Sequence, residues 1–182
     1  MGKLIIFIGG SGSGKSALAQ YLIENNEAEK IVSTTSRNPR IGEINGKHYN
    51  FEDLDVIETM IKEDKFLEYS IYSGNYYGIT KDEIEKRMSN SDLVVHVMEI
   101  KGALKVKKTF PNTILIYCDA PIDILMERMY ERGDDFKSIT KRVKTYVEEK
   151  EYDNIKYADF VINNTGSIED SYKQLDTILE QC

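Results

Sequence analysis

Eight residues near the start of the chain carry the clearest chemistry. Gly9-Gly10-Ser11-Gly12-Ser13-Gly14-Lys15-Ser16 fits the pattern G-x-x-x-x-G-K-[ST], with Gly9, Gly14, Lys15 and Ser16 in the fixed places. Glycines let the backbone curl with its N–H groups turned inward and no side chain in the way. A helix beginning at the end of the loop adds unpaired donors and a partial positive charge. Lys15 supplies a full positive charge for outer phosphates, and Ser16 a hydroxyl for Mg²⁺. The spacing predicts a cradle for nucleotide phosphates.

Three further constellations suit anion or base recognition. Arg37 and Arg40, three apart around Pro39, can converge on one phosphate through paired hydrogen bonds, with the hydroxyls of Tyr49 and Tyr77 completing the oxygen shell. Glu68, if ionised, accepts two parallel hydrogen bonds and so suits the N1–H and amino edge of guanine. Arg128, Arg132 and Arg142 flank Gly133-Asp134-Asp135, where a hinge glycine between basic helices would let a lid close over transferring phosphates. Each has a plainer reading: Arg-x-x-Arg is most often a solvated pair, Glu68 one more surface glutamate, and the arginines partners of Glu127, Glu131 or Asp135. His96 stands in an apolar strand and reads as a satisfied core or cleft residue.

These residues need a scaffold. Lys3–Ile8 is a continuous apolar run, as in a parallel strand buried on both faces. Leu18, Tyr21, Leu22 and Ile23 mark a helix after the loop. Further strands are expected at 30–33, 93–97, 113–117 and 159–162. Between them lies a helix with Pro121 at its first position and Ile122, Leu125, Met126 and Met129 on one face. A last helix carries Ile168, Tyr172, Leu175 and Leu179. Strand and helix alternation predicts an α/β fold with a parallel sheet flanked by helices. Residues 34–90 break the rhythm. They read as a strand at 47–50, a helix with Leu54, Ile57 and Ile61 on one face, and a strand at 66–72. A Gly74-Asn75 hairpin turn follows, then a capping box, Thr80 with Glu83, opening another helix. This is an inserted α+β lobe.

With 182 residues the chain suits one domain with such an insertion. A formal net charge of -7 argues against DNA or RNA as partner, while a small phosphorylated ligand needs only local cations. Cys118 and Cys182 lack metal spacing and imply no disulfide framework; Cys118 ends an apolar run and reads as a core thiol. No signal peptide or membrane helix is recognisable, so the cytoplasm is the expected location, with no membrane partner.

Taken in order, the motifs resemble those of guanylate kinases over nearly the whole chain. Ser33-Thr34-Thr35-Ser36-Arg37-Asn38-Pro39-Arg40 is similar to that family's Ser-x-Thr-Thr-Arg-x-Pro-Arg, and Gly42 to Phe51 to its Gly-Glu-x-(Asn)-Gly-x-(Asp)-Tyr-x-Phe. Phe66-Leu67-Glu68 and Gly74-Asn75-Tyr76-Tyr77-Gly78 recur at the family's spacing. The resemblance implies a P-loop core of residues 1–33 and 91–182, with a helical lid near 126–148 and a nucleoside-monophosphate lobe at 34–90. It implies transfer of a phosphoryl group from ATP to GMP with Mg²⁺ as cofactor, in a monomer or homodimer. Gly9 to Ser16 would hold ATP, with Asn164 near the adenine and Mg²⁺ at Ser16. Ser33, Arg37, Arg40, Tyr49, Glu68, Tyr77 and Glu99 would bind GMP. Lys15, Arg37, Arg132 and Arg142 form the implied catalytic set. Two departures stand out. Gly78 is followed by Ile79 where the family has Thr or Ser. Val97-Met98-Glu99 replaces an acid-Ile-acid run, leaving Glu99 as the remaining carboxylate. The first motivates an alternative acceptor (dGMP, IMP or a ribosyl bisphosphate). The second motivates a non-catalytic binding module of this family.

Overall fold

The computed structural model describes residues 2–72 and 74–182. The chain runs β1 (Lys3–Ile8), α1 (Lys15–Asn25), β2 (Glu29–Lys30), β3 (Thr34–Thr35), β4 (Asn50–Phe51) and α2 (Leu54–Lys62). It continues through β5 (Phe66–Tyr72), β6 (Asn75–Thr80), α3 (Lys81–Asn90), β7 (Leu93–Val97) and α4 (Ile100–Thr109). Then come β8 (Thr113–Asp119), α5 (Ile122–Glu131), α6 (Phe136–Glu148), a 3₁₀ helix (Glu151–Tyr157), β9 (Phe160–Asn163) and α7 (Ile168–Glu180).

Five strands form a parallel sheet in the order β2-β7-β1-β8-β9. β1 sits at its centre, and Leu4 to Ile8 are at most 1% exposed. Alternation along β1 sends its side chains to two separate cores. Leu4, Ile6 and Ile8 pack with Ile84 and Met88 of α3 and Ala103 and Val106 of α4. Ile5 and Phe7 pack with Leu18 and Leu22 of α1 and Leu175 and Ile178 of α7. Helices on both faces explain why the β1 sequence is apolar without a break. Cys118 lies in the second core as a free thiol, and burial pushes it up to about 12. Removing one of these β1 side chains, as in Ile6→Ala, costs about 2–5 kcal/mol.

A second sheet, β4-β3-β6-β5, is built from residues 34–80 and is mixed: β3 runs parallel to β4 and antiparallel to β6. Its edges depart from the sequence expectations for local reasons. The expected strand at 30–33 shrinks to Glu29–Lys30, because the backbone turns away after the Ile31 N–H reaches the Val95 carbonyl. The Val32 N–H then donates to the Glu83 carboxylate and the Ser33 carbonyl accepts from Asn50. The strand expected at 47–50 is only Asn50–Phe51, since residues 44–49 curl into a turn closed by the Gly46 N–H on the Tyr49 carbonyl. Tyr72 pairs with Asn75, so Asn75 is already strand and Gly74, at φ +76, takes the left-handed position.

Two caps also differ from expectation. Pro121 is the N-cap of α5, not its first helical residue: its ψ of 151 is extended, and its carbonyl accepts from Leu125. Along that helix Leu125 and Met129 are buried, whereas Ile122 and Met126 are exposed. Thr80 caps α3 by accepting the Glu83 N–H at 3.2 Å, but Glu83 does not reciprocate. Its carboxylate instead ties Val32 to Arg87, at 3.0 and 2.8 Å, and so fastens the start of the second sheet to α3.

Candidate active site

The Gly9–Ser16 loop leaves the C-terminal end of β1 and opens α1, with Gly14 at φ +91 as the N-cap. The surroundings leave no room for side chains on its glycines. A Cβ on Gly9 would lie 2.6 Å from the Cys118 carbonyl oxygen, and one on Gly12 2.6 Å from that of Leu125. On Gly10 it would lie 2.9 Å from the Tyr146 ring. Inside the loop, the Lys15 ammonium donates to the Gly9 and Gly10 carbonyls at 2.7 and 2.6 Å. Burial pulls its proton affinity down; Cys118 and Glu151 oppose that, and Arg132 and Arg142 reinforce it. The two arginines are thus close enough to repel the loop lysine. A cavity of about 570 Å³ opens beside it, lined by Gly9, Ser11, Lys15, Glu99 and Glu151.

The residues expected to bind the acceptor gather around the second sheet. Arg37 makes a two-pronged ion pair with Glu43, at 2.9 and 2.8 Å. Its guanidinium lies 5.5 Å from the ring centre of Tyr49. Tyr49 and Tyr77 meet edge to face at 5.9 Å. Arg37, Tyr49 and Tyr77 are therefore brought together, while Arg40 is an exposed loop residue whose N–H donates to Glu43 at 2.7 Å. The Glu43 carboxyl falls to about 2, first because of Arg37 and then because of that Arg40 N–H. Ser33 and Tyr49 share a cavity of about 260 Å³ with Ser16 and His96, which joins the two halves of the site. The His96 ring is buried and lines this cavity, as expected of a core or cleft residue, although its Nδ1 has no partner; burial lowers it to about 4.

Glu68 is half-buried and leans on the first turn of α4. A Cβ on Gly102 would lie 2.4 and 2.5 Å from its two carboxylate oxygens. Burial raises its carboxyl, opposed by Lys105 and reinforced by Glu99. Ile79, opposite Glu68 across the β5–β6 pair, points into the core beside Ile31 and Ile84. Thr80 does not replace the missing hydroxyl, being engaged as the α3 cap.

In the 126–148 segment, Gly133 (φ +89) ends α5: its N–H donates to the Tyr130 carbonyl and that of Asp134 to the Met129 carbonyl. Asp134 then pairs with both Arg132, at 2.6 Å, and Arg142, at 3.3 Å. These are not the expected partners Glu127, Glu131 or Asp135, the last of which caps α6. Arg128 is not among the partners of Asp134, and one of its guanidinium nitrogens is buried and unpartnered.

Four polar residues escaped the sequence reading of roles: Glu43, Asp134, Glu151 and Ser171, whose hydroxyl donates to Asn164. Glu43 stood inside a quoted motif, so a signal existed. Glu151 had none, because it reaches the cavity only through the left-handed turn at Lys150 (φ 50) that ends α6. Asn164, which the resemblance sets near the adenine, follows β9 and lies against the loop. It is 1% exposed beneath the loop, and its side-chain amide donates to the Ser13 carbonyl at 2.9 Å.

Mg²⁺ suits this chemistry. No group of three or more His, Cys, Asp or Glu able to hold a metal occurs among the described residues. Mg²⁺ at a nucleotide is held mostly by phosphate oxygens and water, with one or two protein oxygens. Ser16 is exposed at the start of α1, and the carboxylates of Glu99 and Glu151 line the neighbouring cavity.

Comparison with known proteins agrees with this geometry. The family model described as guanylate kinase matches residues 1–182. A guanylate kinase of Desulfitobacterium hafniense is 38% identical over 166 residues, covering 90% of this chain and 82% of that protein. One from Fusobacterium nucleatum is 36% identical over 182 residues, covering 99% and 97%. The crystal structure of guanylate kinase from Anaplasma phagocytophilum has the same fold, with a TM-score of 0.68 at 24% identity over 99% of this chain and 85% of that one. A whole-chain match and relatives at this identity place the protein: it belongs to the guanylate kinase family.

Proposed function

We propose that the protein transfers the γ-phosphoryl group of ATP to GMP, giving ADP and GDP. The observation that carries this reading is the presence of two separate anion cradles whose neighbouring residues Ser16 and Tyr49 line one cavity. One is the Gly9–Ser16 loop around Lys15; the other is Arg37 with Tyr49 and Tyr77. Relatives bearing the guanylate kinase name favour GMP over other acceptors and over a non-catalytic module.

In this reading residues 1–33 and 91–182 form the donor core, 126–148 the lid and 34–90 the acceptor lobe. Loop N–H groups and Lys15 hold the donor phosphates. Arg37, Arg40, Tyr49 and Tyr77 hold the acceptor phosphate, and Ser33, Glu68 and Glu99 surround the base. The acceptor oxygen attacks in line, so positioning and charge neutralisation carry the rate. Arg132 and Arg142, held on one carboxylate by Asp134, supply positive charge to the transferring group. Mg²⁺ held at Ser16 and by the phosphates would offset charge on the β- and γ-oxygens. Lys15, bound to loop carbonyls at present, exchanges those partners for phosphate oxygens when ATP enters. Lobe and lid closure would exclude water and limit ATP hydrolysis.

A coupled assay of ADP formation with GMP, dGMP, IMP, AMP and a ribosyl bisphosphate tests this. Strong preference for GMP is expected. ADP formation that is indifferent to GMP would overturn it.

A further inference from the structure

Asn164 lies one residue past β9, buried beneath the loop, and its backbone N–H and both side-chain polar atoms have partners. Its backbone N–H donates to the Asp119 carbonyl at 2.8 Å. Its Nδ2 donates to the Ser13 carbonyl at 2.9 Å, and its Oδ1 accepts the Ser171 hydroxyl at 2.8 Å. Asn164 is 1% exposed and Ser171 0%. The Ser13 carbonyl fixes the amide orientation: reversing it would set Oδ1 against that carbonyl, two acceptors with no proton between them, whereas the Ser171 hydroxyl can serve either end. The amide also fills the space that a side chain at position 14 would need, since a Cβ there would lie 2.1 Å from Nδ2.

The consequence lies one peptide further on. In a trans peptide the carbonyl and the following N–H point in opposite directions. Anchoring the Ser13 carbonyl downward on Asn164 therefore turns the Gly14 N–H upward, into the cradle where phosphate oxygens sit. Gly14 accepts the resulting φ of +91 because it has no Cβ. We propose that Asn164 and Ser171 form a positioning strut that sets the phosphate loop, and so tune affinity for the triphosphate without reading the adenine. This rests on the donor-loop assignment above and replaces the role that resemblance gave to Asn164.

The test separates a phosphate effect from a base effect. Titration calorimetry with Mg²⁺ compares ATP, inorganic tripolyphosphate and GMP on the unsubstituted protein, Asn164→Ala and Ser171→Ala. For Asn164→Ala, affinity for ATP and for tripolyphosphate should fall by the same factor, about tenfold, with GMP affinity unchanged. Ser171→Ala keeps the amide donor but frees its other end, and should lower both by about threefold. A loss confined to ATP, or no loss for either ligand, would overturn the strut. So would an equal fall in GMP affinity, which marks general loosening. If Asn164→Ala does not fold, Ser171→Ala decides by the same criteria. Absence of tripolyphosphate binding by the unsubstituted protein would sink the donor-loop reading as well, and is visible before any variant is made.

Discussion

The donor loop and the acceptor lobe use glycine for different reasons, and the contrast shows how differently the two are held. Gly9, Gly12 and Gly14 have positive φ, and each would also drive a side chain into a neighbour within 2.1–2.6 Å. Gly42, Gly46 and Gly74 of the lobe have positive φ as well, yet an added Cβ would meet nothing within 4 Å. Around the loop, packing and hydrogen bonds determine the backbone from below (Asn164), from the side (Leu125) and from above (Tyr146). At these three lobe positions only the turn itself requires glycine (Gly78, in β6, is crowded by the Glu68 carbonyl at 2.6 Å), and side chains such as Ile41 and Ile44 stand exposed. A rigid donor cradle and a loosely packed acceptor loop suit a reaction in which one phosphate is gripped in place and the other is brought to it.

Four tests would break or sharpen this contrast. The largest effect is expected at Lys15: Lys15→Ala should lower kcat by about a hundredfold or more in the ATP–GMP assay, because its charge faces the transferring group from a fixed loop. Intact turnover would remove the donor loop from the comparison. Next, Gly14→Ala should cost about 3 kcal/mol in urea unfolding, through left-handed strain plus a clash, whereas Gly46→Ala should cost only about 1 kcal/mol, from strain alone. Equal losses would show that space is not what distinguishes the two regions.

His96 lines the cavity where the regions meet, and its effect is one of pH. Its folded value, about 4, lies below the ordinary 6.5, so the unfolded chain binds the extra proton first. The stability contributed by the neutral ring is complete above about pH 6.5 and is lost as pH falls toward 4, a change of about 3 kcal/mol. Thermal unfolding between pH 4 and 7 should show that slope, and His96→Leu should flatten it. The smallest expected effect is at Gly102, where the lobe carboxylate Glu68 leans on core helix α4. Gly102→Ala favours the helix by propensity but displaces Glu68, so KM for GMP should rise about five- to tenfold with little loss of melting temperature. The effect should vanish in a Glu68→Ala background; an undiminished effect there would place its origin elsewhere.

Local pattern made much of this readable in advance. β1 and β7 fall at the expected residues because continuous apolar runs bounded by polar ones have little else to become. The loop was legible because left-handed glycines, a lysine and a hydroxyl are demanded within eight positions. Arg37, Tyr49 and Tyr77 were named from residue type and do meet, though nothing in the spacing revealed that Glu43 would already hold the guanidinium. Glu83 looked like half of a capping box and instead ties Val32 to Arg87, since a buried carboxylate seeks the strongest donors that the fold brings near. Asp134 was passed over for its neighbour Asp135, because which carboxylate faces two arginines depends on how α5 ends at Gly133.

By itself the sequence determined what acts through short-range backbone chemistry: the phosphate loop, the central strand, the helix behind it and the alternation that makes a parallel sheet. These follow from φ preference, period and capping within a few residues, so no distant contact is needed to read them. Only the tertiary structure decided that Asn164, 151 positions away, fixes the Ser13 carbonyl. Only it decided that Gly102 leaves room for Glu68, and that His96 is buried with a nitrogen unpartnered. Those outcomes depend on which surfaces meet after β9, α4 and the lobe have packed. Close packing makes such meetings specific to a fraction of an ångström, a precision that residue type and spacing do not encode.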